Sequence, residues 1–405
     1  EGIIMKNKKI IIIICVILGV IILSIGGYFL YKYIEIKNAV VVVELKDNLD
    51  ADFADTLRVS SFIKKINGKI VDDYVIDTDS LGMKKINFQY INDDGIKIKY
   101  SYEINVVDKE APLIWLGKSY NVVKGSVDNL LDKIMCGDNY DTNPVCVIEG
   151  EYDLDTVGSY NLFFKATDSS NNISEKKFTL NVNEPSNNKG NKGNKEVTEF
   201  SEIIKNYKNN NTEIGIDVSK WQGDIDFKKL KDAGVEFVII RVGSSTGING
   251  ENFVDSKFIQ NIENANSVGI PVGVYFYSYA NSMERAINDA KWIIDVIKDY
   301  RVELPIAFDW ENWGSFNKYE LSFFGLTNIA KKFMDTVKDA GYEAMLYSSK
   351  TYLENIWMGM DYPVWLAHYT KNTNYTGDYS YWQLCSNGRV DGISGDVDID
   401  IRYID

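Results

Sequence analysis

Near residue 212 the hydrophobic period of this 405-residue chain changes, and that change demands two different architectures. Before it, from about Ala39 to Val182, apolar and polar residues alternate. Lys97-Ile98-Lys99-Tyr100-Ser101-Tyr102-Glu103-Ile104 and Lys177-Phe178-Thr179-Leu180-Asn181-Val182 show the period of a strand buried on one face. After it, short solid apolar runs alternate with amphipathic segments, as in buried parallel strands connected by helices. A chain of this length is expected to hold two to four domains, since single cores stop growing well below it.

Ahead of both regions lies Ile10 to Tyr31, IIIIICVILGVIILSIGGYFLY, close to the ~20 apolar residues that cross a bilayer as a helix. Lys6, Lys8 and Lys9 precede it. The positive-inside rule then predicts a cytoplasmic tail over residues 1–9, a transmembrane anchor over 10–31 and everything else outside the cell membrane. Met5 reads as the natural start. The rival is a cleaved secretory signal with its cut after Gly26. The run is longer than the ~7–15 residues of a signal core, and no clear A-x-A site follows.

The alternating region contains a repeat. Thr78-Asp79-Ser80-Leu81-Gly82, then Ile86, Phe88, Tyr90 and Asp93, echoes Asp155-Thr156-Val157-Gly158, then Tyr160, Leu162, Phe164, Ala166 and Asp168. Asp108-Lys109-Glu110-Ala111-Pro112 separates the copies. The pattern resembles the bacterial immunoglobulin-like modules of surface proteins, which implies two small β-sandwiches over 39–107 and 108–183. Spacing rather than binding is the expected role. Cys136 and Cys146 stand ten apart and are a disulfide candidate if this region is extracellular; two buried thiols are the alternative. Residues 184–212, rich in Asn, Lys and Gly, read as a flexible linker. Its root-mean-square span is roughly 30 Å, with a short helix at Phe200 to Tyr207 interrupting it.

Residues 213–405 read as an α/β barrel. Eight strands are expected at Ile214–Val218, Phe237–Val242, Val272–Tyr277, Ile306–Trp310, Ala344–Tyr347, Val364–Ala367, Tyr381–Leu384 and Val397–Ile401. Helices fit at Asp226–Ala233, Asp255–Ser267, Met283–Asp299, Leu321–Ala340 and Lys350–Met358. The last three strands have no room for helices between them, because a parallel crossover needs about a dozen residues. Five βα units followed by three strands, at least one antiparallel, is the expected TIM-like arrangement. Such barrels build their sites at the C-terminal mouths of the strands.

Carboxylates collect at those mouths. Strand one ends Gly215-Ile216-Asp217-Val218, strand four ends Phe308-Asp309-Trp310-Glu311, and strand eight carries Asp396-Val397-Asp398-Ile399-Asp400. With a period of two, Asp309 and Glu311 share a face, as do the three aspartates. Closure would bring Asp217 beside Asp398. Crowded carboxylates resist full ionisation, so one can keep a proton as a general acid. The remaining composition narrows the partners. Lys plus Arg number 44 against 58 Asp plus Glu, a net charge of −14, which argues against nucleic acid. Four Cys and one His assemble no metal-ligand cluster, so neither metal nor cofactor is expected. His368 reads as a structural histidine.

Gly215–Gly223, Pro271-Val272-Gly273-Val274-Tyr275-Phe276-Tyr277, Phe308–Glu311, Trp365-Leu366-Ala367 and Trp382-Gln383 followed by Val397–Asp400 resemble glycoside hydrolase family 25, the Chalaropsis-type lysozymes. The resemblance covers nearly all of 214–405. It implies an N-acetylmuramidase acting on peptidoglycan glycan strands, cutting the β-1,4 bond between N-acetylmuramic acid and N-acetylglucosamine. Carried over by motif, Glu311 is the general acid, Asp309 its partner, and Asp217 and Asp398 the supporting carboxylates. Tyr275, Tyr277, Tyr347, Trp365 and Trp382 are candidates to line sugar subsites. Phe276 and Asp400 depart from the family's polar ring and Asn. Asp309 and Glu311 lie about 7 Å apart at Cα by strand rise, on one side of the sugar. Substrate assistance by the 2-acetamido group is therefore the expected mechanism, with inversion through an activated water as the alternative. A non-hydrolytic wall-binding protein and a phage-type lysin are the competing functions. No residue pattern specifies an envelope or secretion complex as partner.

Overall fold

The computed structural model describes residues 2–185 and 197–404. It divides into two compact units, Glu1–Lys109 and Glu110–Asp405.

The first unit opens with a helix, Gly2–Lys37. Within it Val16–Lys37 is long and apolar enough to cross a membrane, and none of that window is buried in protein. An all-β module follows. Its centre is the antiparallel hairpin Gly82–Asn92 and Lys97–Val107, turned at Asp93-Asp94-Gly95, where Gly95 takes a left-handed φ of 78°. Asp50–Asp52 adds in parallel to the second strand and Gly68–Ile70 antiparallel to the first. Alternation turns Phe88, Tyr90, Tyr102 and Ile104 into the core, and the Tyr102 hydroxyl donates to the Val59 carbonyl at 2.6 Å.

The second unit begins with a module of the same sheet order. Gly158–Thr167 and Ile173–Asn183 form the hairpin, Ser119–Val123 adds in parallel and Val145–Glu149 antiparallel. In both modules a separate two-stranded ladder accompanies this sheet: Val43–Leu45 with Ile63–Ile66, and Leu113–Trp115 with Met135–Gly137. The repeat visible in the side chains is thus a repeat of topology. Leu162, Phe164, Phe178 and Leu180 fill the second core, and Cys136 and Cys146 are joined in a disulfide.

The barrel closes from eight strands: β1 Thr212–Val218, β2 Phe237–Ser245, β3 Val272–Tyr277, β4 Ile306–Asp309, β5 Ala344–Ser349, β6 Val364–Ala367, β7 Tyr381–Arg389 and β8 Val397–Tyr403. Strands β1 to β7 run parallel, and β8 is antiparallel to both β7 and β1, completing the ring. Helices α1 Phe227–Asp232, α2 Phe258–Val268, α3 Met283–Ile297, α4 Phe323–Asp339 and α5 Lys350–Asn355 follow the first five strands. Alternate strand residues divide two cores. Phe237, Ile239, Ala307, Met345, Trp365 and Tyr381 fill the interior, while Phe276, Phe308 and Leu346 face the helices.

The linker reading needs correction. Residues 186–196, which include most of the Asn/Lys/Gly run, lie outside the described residues. Thr198–Glu199, however, pairs in parallel with β7, and the helix Phe200–Tyr207 buries Phe200 and Ile203 in the outer barrel core. Composition pointed to a linker because Lys and Asn dominate. Phe200, Ile203, Ile204 and Tyr207 nonetheless recur at helical spacing and dock. Asn252–Val254, a short strand returning antiparallel on β2, was also not foreseen.

Candidate active site

Antiparallel pairing of β8 with β1 sets Asp217 directly opposite Asp398 and Gly215 opposite Asp400. On the far side, Asp309 ends β4 between Tyr277 of β3 and Tyr347 of β5, and Glu311 follows two residues later. Asp217, Asp309, Glu311 and Asp398 line one hollow of about 240 Å³, with Arg241 and Gln383. A second hollow of about 270 Å³ adjoins it through Glu311, Tyr347 and Tyr369 and is walled by Trp313 and Tyr352.

The carboxylates are held rather than loose. Gln383 Nε2 donates to Asp217 at 2.7 Å, while Gln383 Oε1 accepts from the Tyr347 hydroxyl at 2.8 Å and the Tyr369 hydroxyl at 3.0 Å. Those two hydroxyls fix which way the amide points. Trp365 Nε1 donates to Asp400 at 2.8 Å. Arg241 is bound to Asp255 at 2.7 and 2.5 Å. Asp309 is almost wholly buried, and its Oδ1 has no hydrogen-bond partner among the described residues.

Burial is the first cause of every proton-affinity shift here. It drives Asp217 well above the usual carboxylate range, and the charges of Asp398 and Asp400 push the same way. Asp309 is raised by burial and then by the neighbouring Glu311 charge. Burial raises Glu311 against a hydrogen bond from Asp309 that pulls it down. Glu311 itself opens onto the groove. Asp398 is pushed up to about 6, mainly by burial. Asp400 is raised by burial and held back by the Trp365 N–H. A mouth this crowded retains protons near neutrality. Asp309 and Glu311, hydrogen-bonded to each other, form a pair that can share one.

Of the aromatics expected at subsites, Tyr275, Tyr277, Tyr347 and Trp365 line the hollow. Trp382 does not. Period two on β7 sends Gln383 inward and so turns Trp382 outward, where it meets Tyr207 edge-on at 5.9 Å and donates Nε1 to the His368 carbonyl at 2.9 Å. Phe276 also faces the helices, against Trp292, so its departure from the family pattern does not reach the groove. His368 bonds Thr373 through Nδ1 at 2.8 Å and sits at the rim. Sequence reading missed Arg241, Gln383, Tyr369, Trp313 and Tyr352. A charge inside the apolar run Phe237–Val242 was a usable signal for Arg241, and period two from Tyr381 for Gln383. The other three sit on loops or a short helix and gave none.

Residues 216–393 match the model of the glycosyl hydrolases family 25. The autolytic lysozyme of Clostridium acetobutylicum is 28% identical over 190 residues, covering 46% of this chain and 54% of that protein. Lysozyme M1 of Streptomyces globisporus is 30% identical over 206 residues, covering 45% of this chain and 65% of it. The chain thus spans little more than half the length of the first relative and just under two thirds of the second. Among solved structures, the modular autolysin LytC of Streptococcus pneumoniae with a synthetic peptidoglycan ligand is 25% identical. It aligns with a TM-score of 0.44 over 78% of this chain and 70% of that one. A family 25 glycosyl hydrolase of Bacillus anthracis is 21% identical, with a TM-score of 0.41 over 49% and 92%.

Proposed function

Residues 216–393 being a glycosyl hydrolase family 25 domain, we propose that this chain hydrolyses the β-1,4 bond between N-acetylmuramic acid and N-acetylglucosamine in peptidoglycan. The observation that carries the proposal is the Asp309–Glu311 pair: one carboxyl buried, the other open to the groove, with Asp217 and Asp398 in the same hollow. Glycoside hydrolysis needs an acid that keeps its proton until the leaving oxygen develops charge. The partial desolvation of Glu311 beside Asp309, on a side chain still open to the groove, raises its proton affinity in that direction.

In this reading the resting pair holds one proton. Glu311 gives it to the glycosidic oxygen as the C–O bond breaks. The substrate's 2-acetamido oxygen attacks the anomeric carbon, and the Asp309 carboxylate accepts the acetamido N–H and stabilises the cyclic intermediate. Glu311, now ionised, takes a proton from the water that opens the ring. Two displacements give net retention, so the first-formed product is the β anomer. An α anomer, read by proton NMR, would assign the reaction to inversion by a carboxylate-activated water instead. Tyr275, Tyr277, Tyr347 and Trp365 supply flat apolar faces for the sugars.

The rest of the chain fits a wall-side enzyme: an apolar N-terminal helix as anchor with its lysine-flanked end in the cytoplasm, and β modules of immunoglobulin-like type between anchor and barrel. Glu311→Gln is expected to fold, to bind purified walls and to lose at least ~10²–10³-fold in rate. Mass spectrometry of digested walls is expected to show muramic acid at the new reducing ends. Glucosamine there, or undiminished activity in Glu311→Gln, would overturn the assignment.

A further inference from the structure

The second β module does not stand apart from the barrel. It packs against the segment that follows the general acid. Within Trp313–Lys318, a 3₁₀ stretch beginning two residues after Glu311, Asn317 reaches across. Its Oδ1 accepts from the Cys136 N–H and its Nδ2 donates to the Ile134 carbonyl, both at 3.1 Å. Next, the first amides of α4 find partners in the module. Phe323 N–H donates to the Asp138 carbonyl at 2.8 Å, and Phe324 N–H to that of Asn139 at 3.2 Å. The first amides of any helix lack partners within it, so this helix is capped in part by another fold. Gly137 lets the two surfaces meet: a Cβ there would lie 2.7 to 2.9 Å from the Phe316 and Phe323 rings. Met135 belongs to the outer barrel core. Finally, Trp115 packs on Tyr352 with ring centroids 5.2 Å apart, and Tyr352 stacks on Trp313 at 4.0 Å and 19°. Trp313 and Tyr352 wall the hollow that Glu311 shares.

We infer that the module built from residues 110–183 is a working part of the glycan groove: through Asn317 and Trp115 it positions the Trp313–Tyr352 wall against which sugars beyond the scissile bond bind. This rests on the muramidase reading. Neither Asn317 nor Trp115 touches the carboxylates, so both are positioning residues. Their loss should weaken glycan binding and leave the chemical step nearly intact. The wall consists of stacked rings held from behind. Without Trp115 behind it, Tyr352 gains rotamers that a bound sugar must freeze out again.

The test uses the full chain in detergent, with Trp115→Ala, Trp115→Phe and Asn317→Ala. Kinetics on a soluble glycan of at least six sugars are expected to show KM up about tenfold in Trp115→Ala and Asn317→Ala, kcat within threefold of wild type, and recovery in Trp115→Phe. Hydrogen exchange of the Phe323 and Phe324 amides should accelerate in Asn317→Ala while the amides of β1 to β4 keep their protection, a readout that needs no activity and separates local opening from poor folding. Unchanged KM with accelerated exchange would overturn the inference while leaving the enzyme assignment in place. So would an equal fall of kcat in all three variants. A wild-type chain inert on walls would overturn both.

Discussion

Asp217, Asp309, Asp398 and Asp400 are all buried or half-buried around one mouth, and each holds its proton more tightly folded than unfolded. For such acids the folded chain binds more protons than the unfolded chain between the two pKa values. The stabilisation is therefore complete below the unfolded value near 3.8 and is lost as pH rises through the folded value. For Asp398 that window runs from 3.8 to about 6. Asp398→Asn removes the cost of ionising a crowded carboxyl. It should raise stability at pH 7 by on the order of 1 kcal/mol, seen as a melting shift of a few degrees that vanishes at pH 4, while activity drops. An identical shift at both pH values would mean the charge is not the cause. The same crowding sets the rate profile. The Asp309–Glu311 pair must carry one proton to work, so turnover should fall on the alkaline side as the raised Glu311 loses it. A rate that stays flat to high pH would remove Glu311 from the acid's role.

At the level of strands and helices, most of the architecture was written in the pattern of apolar residues. Short solid runs rich in β-branched residues, such as Phe237–Ile240, suit strands covered on both faces. Only residues 390–396 join β7 to β8, too few for a parallel crossover, so the last strand returns antiparallel, whereas the longer helix-free loop 368–380 still lets β7 run parallel to β6. Period two sets Asp309 and Glu311 on one face, and both line the hollow, although β4 itself ends at Asp309. Reading failed where a side chain's place depends on another element. Aromatics suit both cores and subsites, so the sequence alone leaves Trp382 a candidate for either, and the inward facing of Gln383 settles its direction. Trp382→Ala should therefore lower stability by about 3–5 kcal/mol while leaving KM unchanged, a split that thermal unfolding and kinetics would show together. The helix Phe200–Tyr207 is legible in the sequence, but its docking on the barrel is not. Eight residues make too weak a helix alone, and only packing of Phe200 and Ile203 on the barrel fixes it. Phe200→Ala is expected to cost about 2–4 kcal/mol. A loss near zero would show the segment to be linker after all.

The whole molecule poses a question of location. Val16–Lys37 offers an apolar window of membrane-spanning length with no protein covering it. Large side chains along it, such as Ile22, Leu23 and Phe29, lie more than 60% exposed. Water is a poor solvent for such a surface. A single acyl chain holds a protein to a membrane only marginally, whereas insertion of a spanning helix is effectively irreversible. If the helix is retained, the full chain should sediment with membranes, resist high-salt and alkaline washes, and be released by detergent alone. Protease added to intact spheroplasts should remove the barrel. Deleting residues 2–37 should yield a soluble protein with unaltered kinetics on purified walls, because the residues lining the groove all lie between Asp217 and Asp398. A cleaved signal predicts the opposite fractionation: mature protein in the medium, its mass short by the N-terminal segment. Tethering would also change what the activity can accomplish. An anchored barrel cuts only glycan within reach of its own membrane, so cells expressing the retained form should open their walls locally and not lyse their neighbours. Mixing expressing with labelled non-expressing cells measures this directly, and lysis of the labelled cells would mean the enzyme is released.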